Sequence, residues 1–215
     1  LDNWKNPCGA PEVCEALGNS IKIGLLATIF STILGTMIAF AIGRYAFKGR
    51  SSSNLLIFLP MATPEIVLGA SLLSLFLVFQ INPGFWPTVI AHVMFCISFV
   101  VVTVKARIAS LDPRLEQAAM DLYANELETF RKVTLPLVAP GIAGAALLAF
   151  SLSFDDFIIT NFNSGTLKTF PEFVYTSAAR GIPAQANVIG SAMFFLALII
   201  VIAGQFVGKK VKVPQ

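Results

Sequence analysis

Charge is the scarcest property of this sequence. Only 13% of its 215 residues are Asp, Glu, Lys or Arg, against 56% hydrophobic residues and a mean hydropathy of +0.77. Soluble domains carry about a quarter charged residues, so this composition excludes an ordinary water-facing globular body. Histidine is scarcer still. His92 stands alone, which removes every histidine-cluster zinc motif, and no metal site is expected. The G-x-x-x-x-G-K-[ST] phosphate loop is missing, so the chain does not hydrolyse ATP by that route. A nucleophile elbow and H-E-x-x-H are missing too, and no enzymatic activity is read here. A net charge of +3 is too small to argue for nucleic acid as a partner, and none is expected.

What the chain does have is long apolar runs. Crossing ~30 Å of hydrocarbon takes about 20 helical residues. Five stretches qualify: Ser20 to Gly43, Leu55 to Phe79, Phe85 to Val104, Leu137 to Phe157 and Val188 to Gly208. Lipid offers no partner to a free backbone N–H or C=O, so each is read as a helix. The fold class is an all-α integral membrane protein, a polytopic helical bundle forming one transmembrane domain over residues 1–215.

Lys and Arg in the loops set the orientation. Eleven of the fifteen share one side: Arg44, Lys48 and Arg50, then Lys105, Arg107, Arg114, Arg131 and Lys132, then Lys209, Lys210 and Lys212. That side is the cytoplasmic, inner one. Lys5, Lys22, Lys168 and Arg180 lie on the outer side among six carboxylates. The N-terminal segment 1–19 is then outside and the C-terminus inside. A chain starting at Leu1 on the outer face implies something upstream, either a cleaved signal peptide or a preceding span. Cys96 in the third span is an apolar filler. Cys8 and Cys14, close together in the outer segment, are placed to form a disulfide in an oxidising compartment, with a reduced pair as the alternative.

Two loops carry structure of their own. The outer loop 158–187 is punctuated by Pro171, Gly181 and Pro183, and within it Phe170 to Ala179 has the pattern of a short interfacial helix. The inner loop 105–136 is long and charged. Asp112-Pro113 is a helix start, continued by Leu115 to Leu122. Asn125 with Glu128 reads as a capping box opening a second helix, whose Leu127, Phe130 and Val133 share a face and which Leu135-Pro136 ends. A solvated connector would not display Leu122, Tyr123, Leu127 and Phe130. The loop is read as a docking knob.

Gln117-Ala118-Ala119, then Tyr123, then Val133-Thr134-Leu135-Pro136 fall at the spacing of the loop E-A-A-x-x-x-G-x(9)-I-x-L-P. The chain thereby resembles the membrane subunits of bacterial ABC importers. The resemblance implies that this loop inserts into a cleft on an ATPase subunit through Glu116, Gln117, Ala118, Ala119, Asp121, Leu122, Tyr123, Ala124, Leu135 and Pro136. Two positions depart from the pattern. Gln117 replaces the motif Glu, and Tyr123 replaces the motif Gly, where a positive φ is often wanted. Such permeases commonly have six spans, which implies one span ahead of Leu1.

Pro64-Glu65-Ile66-Val67-Leu68-Gly69, Ser153-Phe154-Asp155-Asp156-Phe157, Thr169-Phe170-Pro171, Val174-Tyr175 and Arg180-Gly181-Ile182-Pro183 narrow the match. Together they resemble the second permease subunit of spermidine/putrescine importers. That implies a polyamine path shared with a second, different permease and an ATPase dimer on the cytoplasmic side that holds ATP and Mg. It also implies an extracytoplasmic binding protein, a bacterial inner membrane, and no cofactor on this chain.

The residues supply matching chemistry. Glu65 lies roughly 16 Å along the second span at 1.5 Å per residue. A carboxylate there costs on the order of 3 kcal/mol, which makes a role in the path the first hypothesis and helix bracing the alternative. Pro60 and Pro64 kink the span. Asp155 and Asp156, with Ser153 on the same turn as a further candidate path residue, stand near the outer end of the fourth span. Adjacent positions point about 100° apart, so only one Asp faces a path; otherwise both cap the outer loop. Phe154, Phe157 and Phe162 offer ring faces to an ammonium. Gly204-x-x-x-Gly208 fits close helix packing. Sugar, iron, phosphate or another organic cation remains an alternative cargo. An ATP-independent carrier or channel subunit, or a membrane scaffold, would leave the inner knob unexplained.

Overall fold

The apolar runs fold as helices, and the prolines decide where they break. The structure, a computed structural model, describes the backbone of residues 2–10, 12–178 and 181–209, with side chains except at 2–3, 196–197 and 200–209. In chain order the helices are α1 (Asp2–Lys5), α2 (Val13–Arg44), α3 (Arg50–Ala62), α4 (Glu65–Val78), α5 (Phe85–Ala109) and α6 (Arg114–Asp121). There follow α7 (Glu126–Thr129), α8 (Leu135–Asp155), α9 (Ile158–Asn163), α10 (Phe170–Ser177) and α11 (Ala184–Lys209). A π-helical turn, Phe130–Thr134, joins α7 to α8. No strand occurs among the described residues.

α2, α5 and the continuous run Glu126–Asp155 are each long and apolar enough to cross a bilayer. α3 and α4 qualify only together, and they are bent by 107°. This corrects the single kinked span expected over Leu55 to Phe79. Pro64 has no N–H to continue α3, and its ring forces Thr63 to φ −82°, ψ 133°. The chain restarts as Val67 and Leu68 donate to the Pro64 carbonyl, at 2.9 and 3.0 Å. Glu65 therefore opens a helix and does not sit deep within one. The fifth expected span falls in α11, whose 26 residues rise roughly 39 Å. The surroundings of Gly204 and Gly208, and the residues Arg180, Lys210 and Lys212, lie outside the described residues.

A second correction concerns Leu135-Pro136, which ends no helix. The capping box at Asn125 opens a helix that runs on without interruption into α8. Pro136 lacks an N–H and crowds the preceding turn. The wider turn just before it, where Leu135 N–H donates to Phe130 O, takes up that misfit.

The core is where α2, α5 and α8 meet. On α2 the buried residues Ser20, Gly24, Ala27, Ser31, Gly35 and Ala39 recur every three or four positions, on one face. They let the backbones close in: a Cβ on Gly35 would lie 2.7 Å from Val100 Cγ1. Cys96 is fully buried in the same core, its thiol against the Ala149 carbonyl. The opposite face of α2 leaves Leu25, Ile29, Ile33 and Met37 uncovered, a stripe for hydrocarbon or a neighbouring helix.

Contacts between segments brace both ends, the inner one expected to face the cytoplasm and the outer one expected to face outward. At the inner end Arg107 donates twice to the Leu137 carbonyl, at 3.0 and 2.8 Å. At the outer end Lys168 pairs with Glu12 at 2.9 Å, and Phe170 N–H donates to Ser20 Oγ at 2.8 Å. A disulfide joins Cys8, ahead of α2, to Cys14 in its first turn. Helix α10 covers most of the stretch expected to be interfacial.

Buried Glu172 in α10 gives this outer end a pH dependence. Burial pushes its carboxyl up, against the opposing pull of the Thr169 backbone, the Ser164 hydroxyl and Lys168. A folded-state value above the unfolded one adds stability at low pH, and that stability is lost as pH rises through the folded value. Glu172→Gln removes the titration. Its melting temperature relative to wild type is expected to be more favourable near pH ~8 than near pH ~4.5. Equal differences at both pH values would refute the assignment.

Candidate functional site

The break at Thr63-Pro64 and the end of α8 bring two acidic residues to one place. Glu65, in the first turn of α4, sits where the helix dipole favours a negative charge. Asp155 is the last residue of α8. Both are exposed, and with Phe95, Leu148 and Phe157 they line a cavity of about 400 Å³. Neither carboxylate has a hydrogen-bond or ion-pair partner among the described residues. Asp155 also lines a second cavity of about 590 Å³, walled by Phe154, Phe157, Phe170, Tyr175 and Met193. The Phe157 and Tyr175 rings stand 4.3 Å apart between centroids.

Free carboxylates beside aromatic faces suit a cation with apolar links between its charges. Carboxylates replace lost hydration at each ammonium, and ring faces accept both the charge and the methylenes.

The other two expected path residues turn inward. Asp156 borders the first cavity but is 8% exposed, and its oxygens accept from Ile159 N–H at 3.3 Å and Thr160 N–H at 2.9 Å. It caps the start of α9. Ser153 is buried, with Oγ 2.7 Å from His92 Nδ1. Phe162 packs on Gly69, where an added Cβ would meet its ring at 3.0 Å, and lines neither cavity. In the sequence Tyr175 stands out only as part of the Val174-Tyr175 pair, and an aromatic residue one helical turn after Pro171 is the signal that points to it.

At the inner end, α6 is held on a three-way clamp. Arg44, the last residue of α2, pairs with Glu116. Thr134 donates its hydroxyl to the same Glu116 oxygen at 2.6 Å, and Arg44 donates to Thr134 at 3.3 Å. Glu116 thus stands in the clamp, while Gln117 and Ala118 are exposed. Arg44 and Thr134 were legible only as a loop charge and a motif letter.

Asp112 Oδ1 accepts from Arg114 N–H at 2.9 Å to start α6. Asn125 and Glu128 exchange both capping-box hydrogen bonds. Between them Tyr123 has φ 63°, the left-handed conformation that a glycine takes readily. It is 99% exposed, beside Leu122 at 81% and Leu127 at 66%. Asp121, Leu135 and Pro136 are also exposed, while Ala119 and Ala124 are half-buried. A groove of about 610 Å³, lined by Arg44, Glu116, Met120, Leu127 and Phe130, runs beside this apolar tip.

The family of binding-protein-dependent transport system inner membrane components matches residues 23–212. The chain is similar to the spermidine/putrescine transport system permease protein PotC of Haemophilus influenzae. The two are 35% identical over 197 residues, 91% of this chain and 77% of that one. It is similar to the putrescine transport system permease protein PotI of Escherichia coli, 37% identical over 186 residues, 82% of this chain and 66% of that one. Among solved structures it resembles the inward-facing MetNI methionine ABC transporter, with a TM-score of 0.75 at 14% identity. That match covers 93% of this chain and 96% of the other, and it bears on the fold alone.

Proposed function

The chain belongs to the binding-protein-dependent transport system inner membrane components, and from that premise we propose that it forms, with a second permease, the path by which a polyamine crosses the membrane. It is a membrane protein and the transmembrane component of an ABC importer, not itself an enzyme. The observation carrying the polyamine reading is the pair of unpartnered carboxylates, Glu65 and Asp155, on one cavity rimmed by Phe157 and, beyond it, Tyr175. Relatives named for spermidine and putrescine support the same cargo.

The partners follow from the two ends. An ATPase dimer, which holds ATP and Mg²⁺, docks on Leu122, Tyr123 and Leu127 at the inner knob. An extracytoplasmic binding protein delivers substrate to the outer end. A second, different permease covers the exposed acidic cavity. Because α2 and the start of α8 both grip α6 through Glu116, movement of the docked knob is transmitted to the spans. The protein then sits as a multi-pass permease in a bacterial inner membrane, and no cofactor is assigned to this chain.

The test is ATPase rate in nanodiscs holding the chain and its co-expressed neighbours, with binding protein and added spermidine, putrescine or maltose. Stimulation by the polyamines and not by the sugar is the expected result. Stimulation by maltose alone would overturn the cargo. Polyamine uptake without any co-purifying ATPase would instead indicate a carrier.

A further inference from the structure

His92 is 1% exposed and meets two helices and the break between them. Its Nδ1 lies 2.7 Å from Ser153 Oγ on α8, and its Nε2 lies 2.9 Å from Thr160 Oγ1 on α9 and 3.4 Å from Asp156 Oδ2. Thr160 Oγ1 is in turn 3.2 Å from that Asp156 oxygen. A carboxylate only accepts, so the protons run towards it. Thr160 O–H donates to Asp156, His92 Nε2–H donates to Thr160 and Asp156, and Ser153 O–H donates to Nδ1. With that tautomer the imidazole satisfies both helices at once.

The cluster fixes where the chain turns. Asp156 is extended, at φ −67° and ψ 126°, and interrupts the helix between α8 and α9, which restarts at Ile158. Asp155, one residue before the turn, is thereby presented to the acidic cavity. The same α9 carries α4. Asn163 Nδ2 donates to the Gly69 carbonyl at 3.3 Å, and a Cβ on Gly69 would lie 3.3 Å from Ile159 Cα. Gly69 is one turn beyond Glu65. Both free carboxylates therefore hang from one buried imidazole, Asp155 through Ser153 and Asp156, Glu65 through α9 and α4.

We propose that His92 is a positioning residue that sets the separation of the Glu65 and Asp155 carboxylates, and that this separation selects polyamines by the distance between their ammonium groups. The inference rests on the polyamine reading of the cavity. A diamine satisfies both carboxylates only when its methylene chain spans the gap. Rigid anchoring of the gap is what makes length a criterion.

The test uses the assembled importer with its binding protein in nanodiscs, titrated with propane-1,3-diamine, putrescine and pentane-1,5-diamine while ATPase is followed. Variants and wild type share one binding protein, so its own preferences cancel. His92→Ala is expected to change the ratio of half-stimulating concentrations, shortest to longest diamine, by at least about fivefold. Glutamine reaches the Nε2 position, so His92→Gln restores the ratio; asparagine reaches only the Nδ1 position, so His92→Asn does not. A packing role would treat the two alike. An unchanged ratio in His92→Ala, or equal rescue by both amides, overturns the proposal. Should His92→Ala not assemble, Thr160→Val keeps the shape, removes the hydroxyl, and is read by the same criterion. Asp155→Asn, run alongside, separates the two readings. If it leaves the diamine response intact, the polyamine site fails and the inference with it. If it abolishes the response while His92→Ala keeps the ratio, the inference fails alone.

Discussion

In the assembled importer, Asp155→Asn is expected to weaken polyamine stimulation of ATPase about ten- to a hundredfold while leaving assembly intact. Hydrogen bonds involving a charged group contribute roughly 1.5–3 kcal/mol, and about 1.4 kcal/mol is a factor of ten. Asp155 is exposed, has no partner among the described residues, and opens on both cavities. Its amide substitute fits the same space without the charge. The local fold therefore loses little and the cation loses its counter-ion. Asp155→Glu should retain most of the response, because the neighbouring ring of Phe157 and the charge both survive.

The adjacent residue supplies the control. Asp156→Asn strikes a buried carboxylate that accepts from Ile159 N–H and Thr160 N–H and lies 3.4 Å from His92 Nε2. An amide places a donor where donors already converge. The result expected there is a lower yield of folded complex, with a smaller loss of polyamine response than in Asp155→Asn for whatever assembles. Quantifying both complex yield and half-stimulating polyamine concentration for the two variants checks the division. Loss of polyamine response in Asp156→Asn alone would reverse the assignment of the two aspartates.

Much of this architecture is legible in the residues themselves. Apolar runs announce spans because lipid leaves the backbone no alternative to the helix. Asp112, Asn125 and Glu128 announce caps because their oxygens match free N–H groups nearby in the chain. What stays hidden is whatever depends on a distant segment. Pro60 and Pro64 look alike in sequence, yet only the second coincides with a break, of 107°. Whether a proline kinks or breaks a helix depends on what the freed backbone can pack against, and here Gly69 gives α4 a seat on α9. Asp156 caps N–H groups only three and four residues on, but the helix break that frees them, and the His92 imidazole 3.4 Å away that separates its role from that of Asp155, are not written in the neighbouring residues. Tyr123 shows the converse. The motif position signals a positive φ, and the chain adopts one there at φ 63° despite a bulky side chain, at a cost of roughly 1–2 kcal/mol.

The inner clamp yields the second large effect. Glu116→Ala is expected to lower substrate-stimulated ATPase and uptake about tenfold or more, while the ATPase still co-purifies. Docking rests on the exposed tip, Leu122, Tyr123 and Leu127, which the substitution does not touch. Transmission is another matter. Glu116 is the one side chain of α6 bonded both to the end of α2, at Arg44, and to the start of α8, at Thr134. The ion pair is only partly exposed, at 30% and 26% for its two side chains, and Thr134 shares it, so it exceeds a free surface pair. A coupling free energy of about 1.4 kcal/mol already changes a response tenfold. Leu122→Asp should do the opposite, releasing the ATPase from the complex. The exchange Arg44→Glu with Glu116→Arg should recover part of the coupling, because it restores opposite charges at the same contact. If Glu116→Ala stimulates and transports like wild type, α6 moves the spans through its apolar contacts, and the clamp is a brace without a part in coupling.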